Sequence, residues 1–327
     1  MTDTMQAYVT SEPGGPERLE LRTIPRPQPR DGWVLIRVRA FGLNRSEWFT
    51  RRGESPSVQF PRVLGIECAG EVVAAPGSDL RVGQRVVAMM GGMGRQFDGS
   101  YAEYVVVPLQ NVFPLQTHLE WRRLAALPEM LQTVHGSLHV GLEIERATNI
   151  LVRGGTSSIG FAAISLARWA GLEVTATTRN AARAGELNAA GATHVIVDDG
   201  VIADKARAIH PDGYDRILEL IGTATLLDSL QAACRGGIVC MTGILGGKWV
   251  LKDFQPMGDI PTGVKLTSYS GEASDIAREK LQRYVSLVES NELVLKLGPN
   301  FHFANLREAH TVMDENMANG KIVIVMD

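Results

Sequence analysis

The chain has 327 residues, 45% of them hydrophobic and 21% charged, with a formal net charge of −3. That length supports about two domains, each able to bury a core, and so weak a charge gives no general attraction for nucleic acid or an anionic membrane. No run approaches the roughly eighteen apolar residues of a membrane span, and Met1-Thr-Asp-Thr-Met-Gln lacks the basic start and apolar middle of a signal peptide, so a cytoplasmic protein is expected.

From Tyr8 to about Pro114 the sequence is built of short alternating runs, at 33–41, 69–75, 85–89 and 101–107, closely punctuated by glycine and proline. Short strands with frequent turn signals predict a barrel-like β domain. Arg37, Arg39, Arg45, Arg51 and Arg52 make part of it basic, which suits either a solvated strand face or attraction for phosphates. Residues 119–142 change to helical spacing and lead into a second region.

That region opens with Asn149-Ile-Leu-Val-Arg-Gly-Gly-Thr-Ser-Ser-Ile-Gly160. Ile150, Leu151 and Val152 read as a buried strand, Gly154 and Gly155 as a tight turn, and the spacing of Phe161, Ala163, Ile164, Leu166, Ala167 and Ala170 as a helix. Strand, glycine turn and helix form a phosphate cradle, because the backbone can approach closely and the helix N-terminus receives negative charge. The fingerprint G-x-G-x-x-G is met in part, with Gly155 and Gly160 outside and Ser157 in the middle, where its hydroxyl adds a donor. Gly154, Thr156, Ser158 and Ile159 complete the candidate cofactor contacts.

Residues 173–178 predict a second strand. An acid near its end, about 20 residues past the last glycine, would hold the ribose 2′-hydroxyl of NADH. Here Thr178, Arg179 and Asn180 stand there, with Arg183 close by. Guanidinium pairs with a phosphate by charge and by a bidentate fork, so NADPH is the expected cofactor. Further strands at Val195, 214–220 and 237–241 alternate with helices starting near Val201 and Thr223, the pattern of a doubly wound parallel sheet. A strand at 264–269, a helix from Ser274 and a closing strand at 320–326 complete the reading. Thr242 and Gly243 fall at the carboxyl edge of that sheet, where such folds bind ligands.

The three cysteines, Cys68, Cys234 and Cys240, have neither the pairing nor the number of a zinc knuckle or a disulfide framework. His135 and His139 are four apart on a predicted helix, but lack the glutamate of H-E-x-x-H and an evident third ligand. No metal is expected.

Gly65-Ile-Glu-Cys-Ala-Gly70, Val82-Gly-Gln-Arg-Val86, Gly99-Ser-Tyr-Ala-Glu-Tyr104, Asp215-Arg-Ile-Leu-Glu219 and Gly320-Lys-Ile-Val323, in that order and spacing, resemble the medium-chain dehydrogenase/reductase superfamily and its zinc-independent quinone oxidoreductase branch. The resemblance covers nearly the whole chain. It implies an α/β protein with a GroES-like β-barrel catalytic domain (1–122), a Rossmann doubly wound parallel sheet binding NADPH (123–265) and a return to the catalytic domain (266–327). It also implies an active site in the cleft between the domains, and a homodimer.

Zinc-dependent members hold their metal with a cysteine and a histidine where this chain has Asn44 and Ile66. An amide and an alkyl group do not replace thiolate and imidazole as ligands. The chemistry left is reduction of an electrophilic small molecule, a quinone or an activated enone or carbonyl compound. The family segment N-x-x-D-x-Y reads Asn44-Arg-Ser-Glu-Trp-Phe49 here. By resemblance Asn44 is an amide donor near the nicotinamide, Glu47 orders the loop, and Thr133 lines the nicotinamide pocket. On the residues alone, Asn44 suits an Asx turn and Glu47 a helix-start acid equally well.

By the same resemblance Phe49 is expected to line the acceptor pocket, but it cannot donate the hydrogen bond of the family's tyrosine, so Ser46, water or another residue must supply the proton. Residues 55–60 and 90–97 are expected to shape the pocket. An enoyl-thioester reductase would have a tyrosine in the loop that follows, and residues 51–57 contain none. A non-catalytic NADPH-binding sensor is the reading from another class.

Overall fold

The computed structural model describes residues 3–55 and 58–326. Pro56 and Ser57, within the loop expected to shape the acceptor pocket, lie outside the described residues. The chain forms two units, Met1–Leu131 with Glu272–Glu289 and Leu297–Asp327, and Gln132–Gly271 with Ser290–Lys296.

In the first unit the larger sheet runs in the order Leu297–His302, Lys321–Val325, Trp33–Gly42, Glu67–Ala74, Arg85–Met89, Val112–Pro114, and Tyr104–Pro108 also pairs with Trp33–Gly42. Strand Trp33–Gly42 is central and covered on both faces, so it buries Val34, Leu35, Ile36, Val38 and Phe41 in near succession rather than in strict alternation. A smaller sheet, Leu19–Pro25, Thr4–Thr10, Arg62–Val63, joins it where the Tyr8 amide donates to the Tyr101 carbonyl at 2.8 Å. Phe41 stacks on Tyr101 with centroids 4.9 Å apart, and Tyr8 meets Phe303 edge-on at 5.1 Å. Three arginines of the basic stretch are paired with carboxylates, Arg39 with Glu71, Arg51 with Asp314 and Arg52 with Glu54, while Arg37 is exposed and Arg45 donates to Asn316 Oδ1.

The C-terminal segments position the front of this unit. Ile324 lies opposite Phe41 and Val323 opposite Gly42 in an antiparallel register, and the Leu43 amide donates to the Ile322 carbonyl at 3.0 Å. Lys321 is thereby brought beside Asn44. Helix Leu306–Asp314 holds helix Arg45–Arg51 through Asp314, whose two oxygens accept from Arg51 Nη2 at 2.7 and 2.8 Å.

The second unit is a six-stranded sheet in the order His194–Val197, Glu173–Thr178, Asn149–Arg153, Tyr214–Glu219, Ala233–Met241, Lys265–Ser268. Every neighbouring pair is parallel. Counted within the unit, this is the 3-2-1-4-5-6 order of dinucleotide-binding sheets, whose direction of winding reverses between the first and fourth strands. Both of those strands have buried apolar centres, Ile150, Leu151 and Val152 in one and Ile217 and Leu218 in the other, and each ends on a buried charged residue, Arg153 and Glu219. Helix Ser158–Trp169 follows the first strand and buries Phe161, Ala162, Ala163, Ile164, Leu166 and Ala167. Among the described residues no helix is long and apolar enough to cross a membrane.

Candidate functional site

Where the second unit's sheet reverses, the first strand ends at Arg153 and the chain turns through Gly154, which has φ +89°, a conformation open to glycine. The Gly154 amide donates to Thr177 Oγ1 at 3.1 Å and the Gly155 amide to the Thr177 carbonyl at 3.0 Å. A Cβ on Gly160 would lie 2.5 Å from the Gly154 carbonyl oxygen, and one on Gly155 would lie 3.0 Å from the Thr177 carbonyl oxygen. Glycine at these positions is therefore what lets strand, turn and helix close on one another.

Ser157 caps the helix: its Oγ accepts from the Gly160 amide at 3.0 Å and its hydroxyl donates to the Gly154 carbonyl at 2.8 Å. The hydroxyl expected to serve a phosphate is thus committed to the turn. The half-buried Thr156, Ser158 and Ile159 stand on the open side, and the first helical amides have no carbonyl one turn back. These residues fit a dinucleotide pyrophosphate.

The end of the second strand carries no acid. Thr178 is buried and its Oγ1 accepts from the Asn180 amide at 3.2 Å. Arg179 is exposed. Arg183 is held by Glu186, with Nη2 to Oε2 at 2.9 Å, and Lys296 contacts the same carboxylate. Across the sheet the amides of Thr242 and Gly243 donate to the Glu219 carbonyl at 3.0 and 3.2 Å. Ser137 links two further expected residues, since its hydroxyl donates to the Thr133 carbonyl at 2.6 Å and its Oγ lies 2.9 Å from Thr242 Oγ1. Beside them Gln132 Nε2 donates to the Tyr269 hydroxyl at 2.8 Å.

The first unit gathers Asn44 and Glu47 into a buried charged cluster that also contains Glu67, Glu129 and Lys321. Lys321 Nζ lies 2.7 Å from Glu67 Oε1 and 3.2 Å from Glu129 Oε2, and donates to Asn44 Oδ1. Asn44 Nδ2 donates to Glu67 Oε1 at 3.0 Å and Glu47 Oε1 at 3.3 Å. Glu47 Oε1 also accepts from the Ile66 amide at 3.2 Å, and Glu67 Oε2 from the Glu129 amide at 2.9 Å. Gly42 makes room for this: a Cβ there would lie 2.3 Å from Glu67 Oε1 and 2.6 Å from Lys321 Cε. Both polar ends of the Asn44 amide are thus held by charged neighbours, and its side chain does not cap the helix it precedes. Phe49 is buried and meets Trp48 edge-on at 4.9 Å. Among the described residues no group of three or more His, Cys, Asp or Glu is placed to hold a metal.

Burial, followed by the charge of Glu67, pushes the Glu47 carboxyl up to about 7, while the same neighbourhood holds the Lys321 ammonium above its ordinary value. For Glu47 the folded form binds the proton more tightly than the unfolded chain, so stability falls as pH rises from 4.5 towards 7. Glu47→Gln is expected to remove a slope of about 1.4 kcal/mol per pH unit from that window. Urea midpoints for the two proteins at pH 5, 6 and 7 check this, and parallel profiles would count against it.

Reading residues one at a time leaves Glu67, Glu129 and Lys321 without a role, although Glu67 and Lys321 sit inside motifs the sequence displays. A lysine opening an apolar strand and a glutamate between apolar strand residues were the available signals.

Residues 30–117 match the family model for the alcohol dehydrogenase GroES-like domain, and residues 190–324 the model for zinc-binding dehydrogenases. The chain is 27% identical over 334 residues to the quinone oxidoreductase of Homo sapiens, covering 98% of each. Its fold is shared by the Pseudomonas syringae quinone oxidoreductase, with a TM-score of 0.87, 22% identity, and coverage of 98% of this chain and 99% of that one. It is shared also by a mycobacterial protein solved in complex with NADPH, with a TM-score of 0.83, 23% identity, and coverage of 98% and 99%. With its GroES-like first unit and its 3-2-1-4-5-6 second unit, the chain belongs to the medium-chain dehydrogenase/reductase superfamily, as a quinone oxidoreductase-like member of these NAD(P)-dependent oxidoreductases.

Proposed function

We propose that this protein is an NADPH-dependent reductase of electrophilic conjugated acceptors, quinones or enones, acting without zinc. The observation that carries the cofactor half is the glycine turn at the reversal point of the sheet, followed at the second strand's end by Thr178, Arg179 and Asn180 in place of an acid. When bound, the reduced nicotinamide supplies the hydride. The chain's own part is to receive the pyrophosphate on the turn and the first helical amides, to present Arg179 to a 2′-phosphate, and to fix the two reactants in register.

The acceptor half rests on the first unit's chemistry. Asn44 and Ile66 offer no thiolate or imidazole with which to hold a metal that would polarise an alcohol, so an acceptor that is already electrophilic is the natural substrate. The Lys321 ammonium, held against Asn44 Oδ1, fixes the amide and brings positive charge to that side of the cluster. Phe49 in place of a phenol favours one second reading, a protein that binds NADPH without turnover.

Stopped-flow oxidation of NADPH with 1,4-benzoquinone, an enone and an enoyl thioester separates these readings. Acceptor-dependent oxidation by the quinone or enone, much slower with NADH, is expected. Tight NADPH binding with no acceptor-dependent oxidation would give the function to the sensor.

A further inference from the structure

Arg153 is the last residue of the second unit's first strand, and its side chain is fully enclosed. An arginine buried at the end of a sheet strand is costly unless all its donors are met, and here they are. Nε donates to Asp198 Oδ2 at 3.0 Å, and Nη2 to Asp198 Oδ1 at 3.1 Å and the Gly200 carbonyl at 3.0 Å. Nη1 donates to Asp228 Oδ2 at 2.7 Å, the Ser229 hydroxyl oxygen at 3.0 Å and the Thr225 carbonyl at 3.1 Å.

What distinguishes this network from a core ion cluster is where its two arms end. In one arm the Thr177 hydroxyl donates to Asp198 Oδ2 at 3.3 Å while its oxygen accepts from the Gly154 amide at 3.1 Å. The guanidinium thus reaches the first amide of the glycine turn through two side chains. In the other arm the Ser229 hydroxyl donates to Glu219 Oε2 at 2.6 Å, and Glu219 Oε1 accepts from the amides of Ile221 at 2.7 Å and Gly222 at 3.0 Å. That arm ends in the loop after the fourth strand. The loops after the first and fourth strands are the two rims of the crevice at the reversal point of such a sheet.

We infer that Arg153 is a positioning residue for dinucleotide binding, which ties the glycine turn and the loop after Tyr214–Glu219 to one guanidinium and so sets the spacing of the crevice before the nucleotide arrives. The inference rests on the proposed NADPH-binding function and goes beyond it, because none of these side chains has to touch the nucleotide. Its physical logic is preorganisation: a turn through glycine has many conformations in the unbound state, and ordering it beforehand lowers what association must spend on it. Stability alone would not call for such a device, since buried ion clusters are often replaced by apolar residues without loss.

Thr177 is the place to test it, because among the described residues it is the side chain that links Asp198 to the Gly154 amide. Thr177→Val removes the hydroxyl but keeps the β-branched shape of a buried strand residue, and Thr177→Ser keeps the hydroxyl. Calorimetric titration of wild type and both variants would use NADPH and adenosine 2′-monophosphate, a ligand with no pyrophosphate. NADPH should bind Thr177→Val about tenfold more weakly, with adenosine 2′-monophosphate unaffected and Thr177→Ser close to wild type. Should Thr177→Val fail to fold, Asp198→Asn, which keeps the shape and removes the charge, is expected to show the same split. Wild-type affinity for NADPH in folded Thr177→Val, or equal weakening of both ligands, would overturn the positioning role. A wild-type protein that binds neither ligand would instead overturn the proposed function on which it rests.

Discussion

Replacing Lys321 with methionine is expected to lower folding stability by about 3–5 kcal/mol at neutral pH. Lys321 Nζ is the cation against fully buried Glu67, and it also serves Glu129 Oε2 and Asn44 Oδ1. Methionine fills the volume of the stem but gives no donor, so three acceptors lose a partner where water does not replace it. The loss is a stranded charge rather than a forfeited attraction. Lys321→Met combined with Glu67→Gln should therefore recover much of it, since the glutamine takes away the uncompensated carboxylate.

The pH dependence has a definite sign. The folded pKa of Lys321 is raised, so its contribution is fully present below the ordinary lysine value and is lost only as pH rises above that value. In the single variant the stranded carboxylate protonates on acidification, so the gap to wild type narrows as pH falls towards the ordinary carboxylate range. Urea unfolding of the three proteins at pH 5 and pH 8 reads both effects. A single variant that unfolds at the wild-type midpoint would show that the ammonium is dispensable.

Arg179→Ala is expected to raise the dissociation constant for NADPH by about 10- to 100-fold, the worth of a hydrogen bond to a charged group, and to leave NADH binding unchanged. Two arginines follow the second strand, and they are not equivalent. Arg183 and Lys296 share the Glu186 carboxylate, whose pKa those contacts hold below the ordinary value, so neither cation is wholly available to a phosphate. Arg179 is exposed and, among the described residues, has no ion-pair partner. Arg183→Ala should accordingly cost less than Arg179→Ala, because the gain from contacting a phosphate is offset by sharing with Glu186. Fluorescence titration of both variants with both nucleotides tests the ranking, and an Arg179→Ala protein that retains its NADPH preference would refute it.

Local signals revealed the second unit well. Ile150 to Val152 followed by Gly154 and Gly155 reads correctly as strand and turn, residues 173–178 coincide with strand Glu173–Thr178, and the strand read near Val195 is His194–Val197. These elements declare themselves because an apolar run and a glycine break carry their meaning within a few residues. The strand Leu297–His302 and the helix Leu306–Asp314 escaped that reading. The strand sequence, Leu-Gly-Pro-Asn-Phe-His, has little strand propensity, and pairing with Lys321–Val325 supplies what the sequence withholds.

The sequence by itself determined the class of sheet, the phosphate-accepting turn and the missing acid after the second strand, each written in neighbouring residues. Only the tertiary structure decided that Asn44 is clasped by Lys321, 277 positions away, and that Arg153 spans to Asp198 and Asp228, 45 and 75 positions on. The physical reason is range. Hydrophobic periodicity and turn chemistry act over a few residues, whereas a charge taken out of water must find its partners wherever the folded chain brings them.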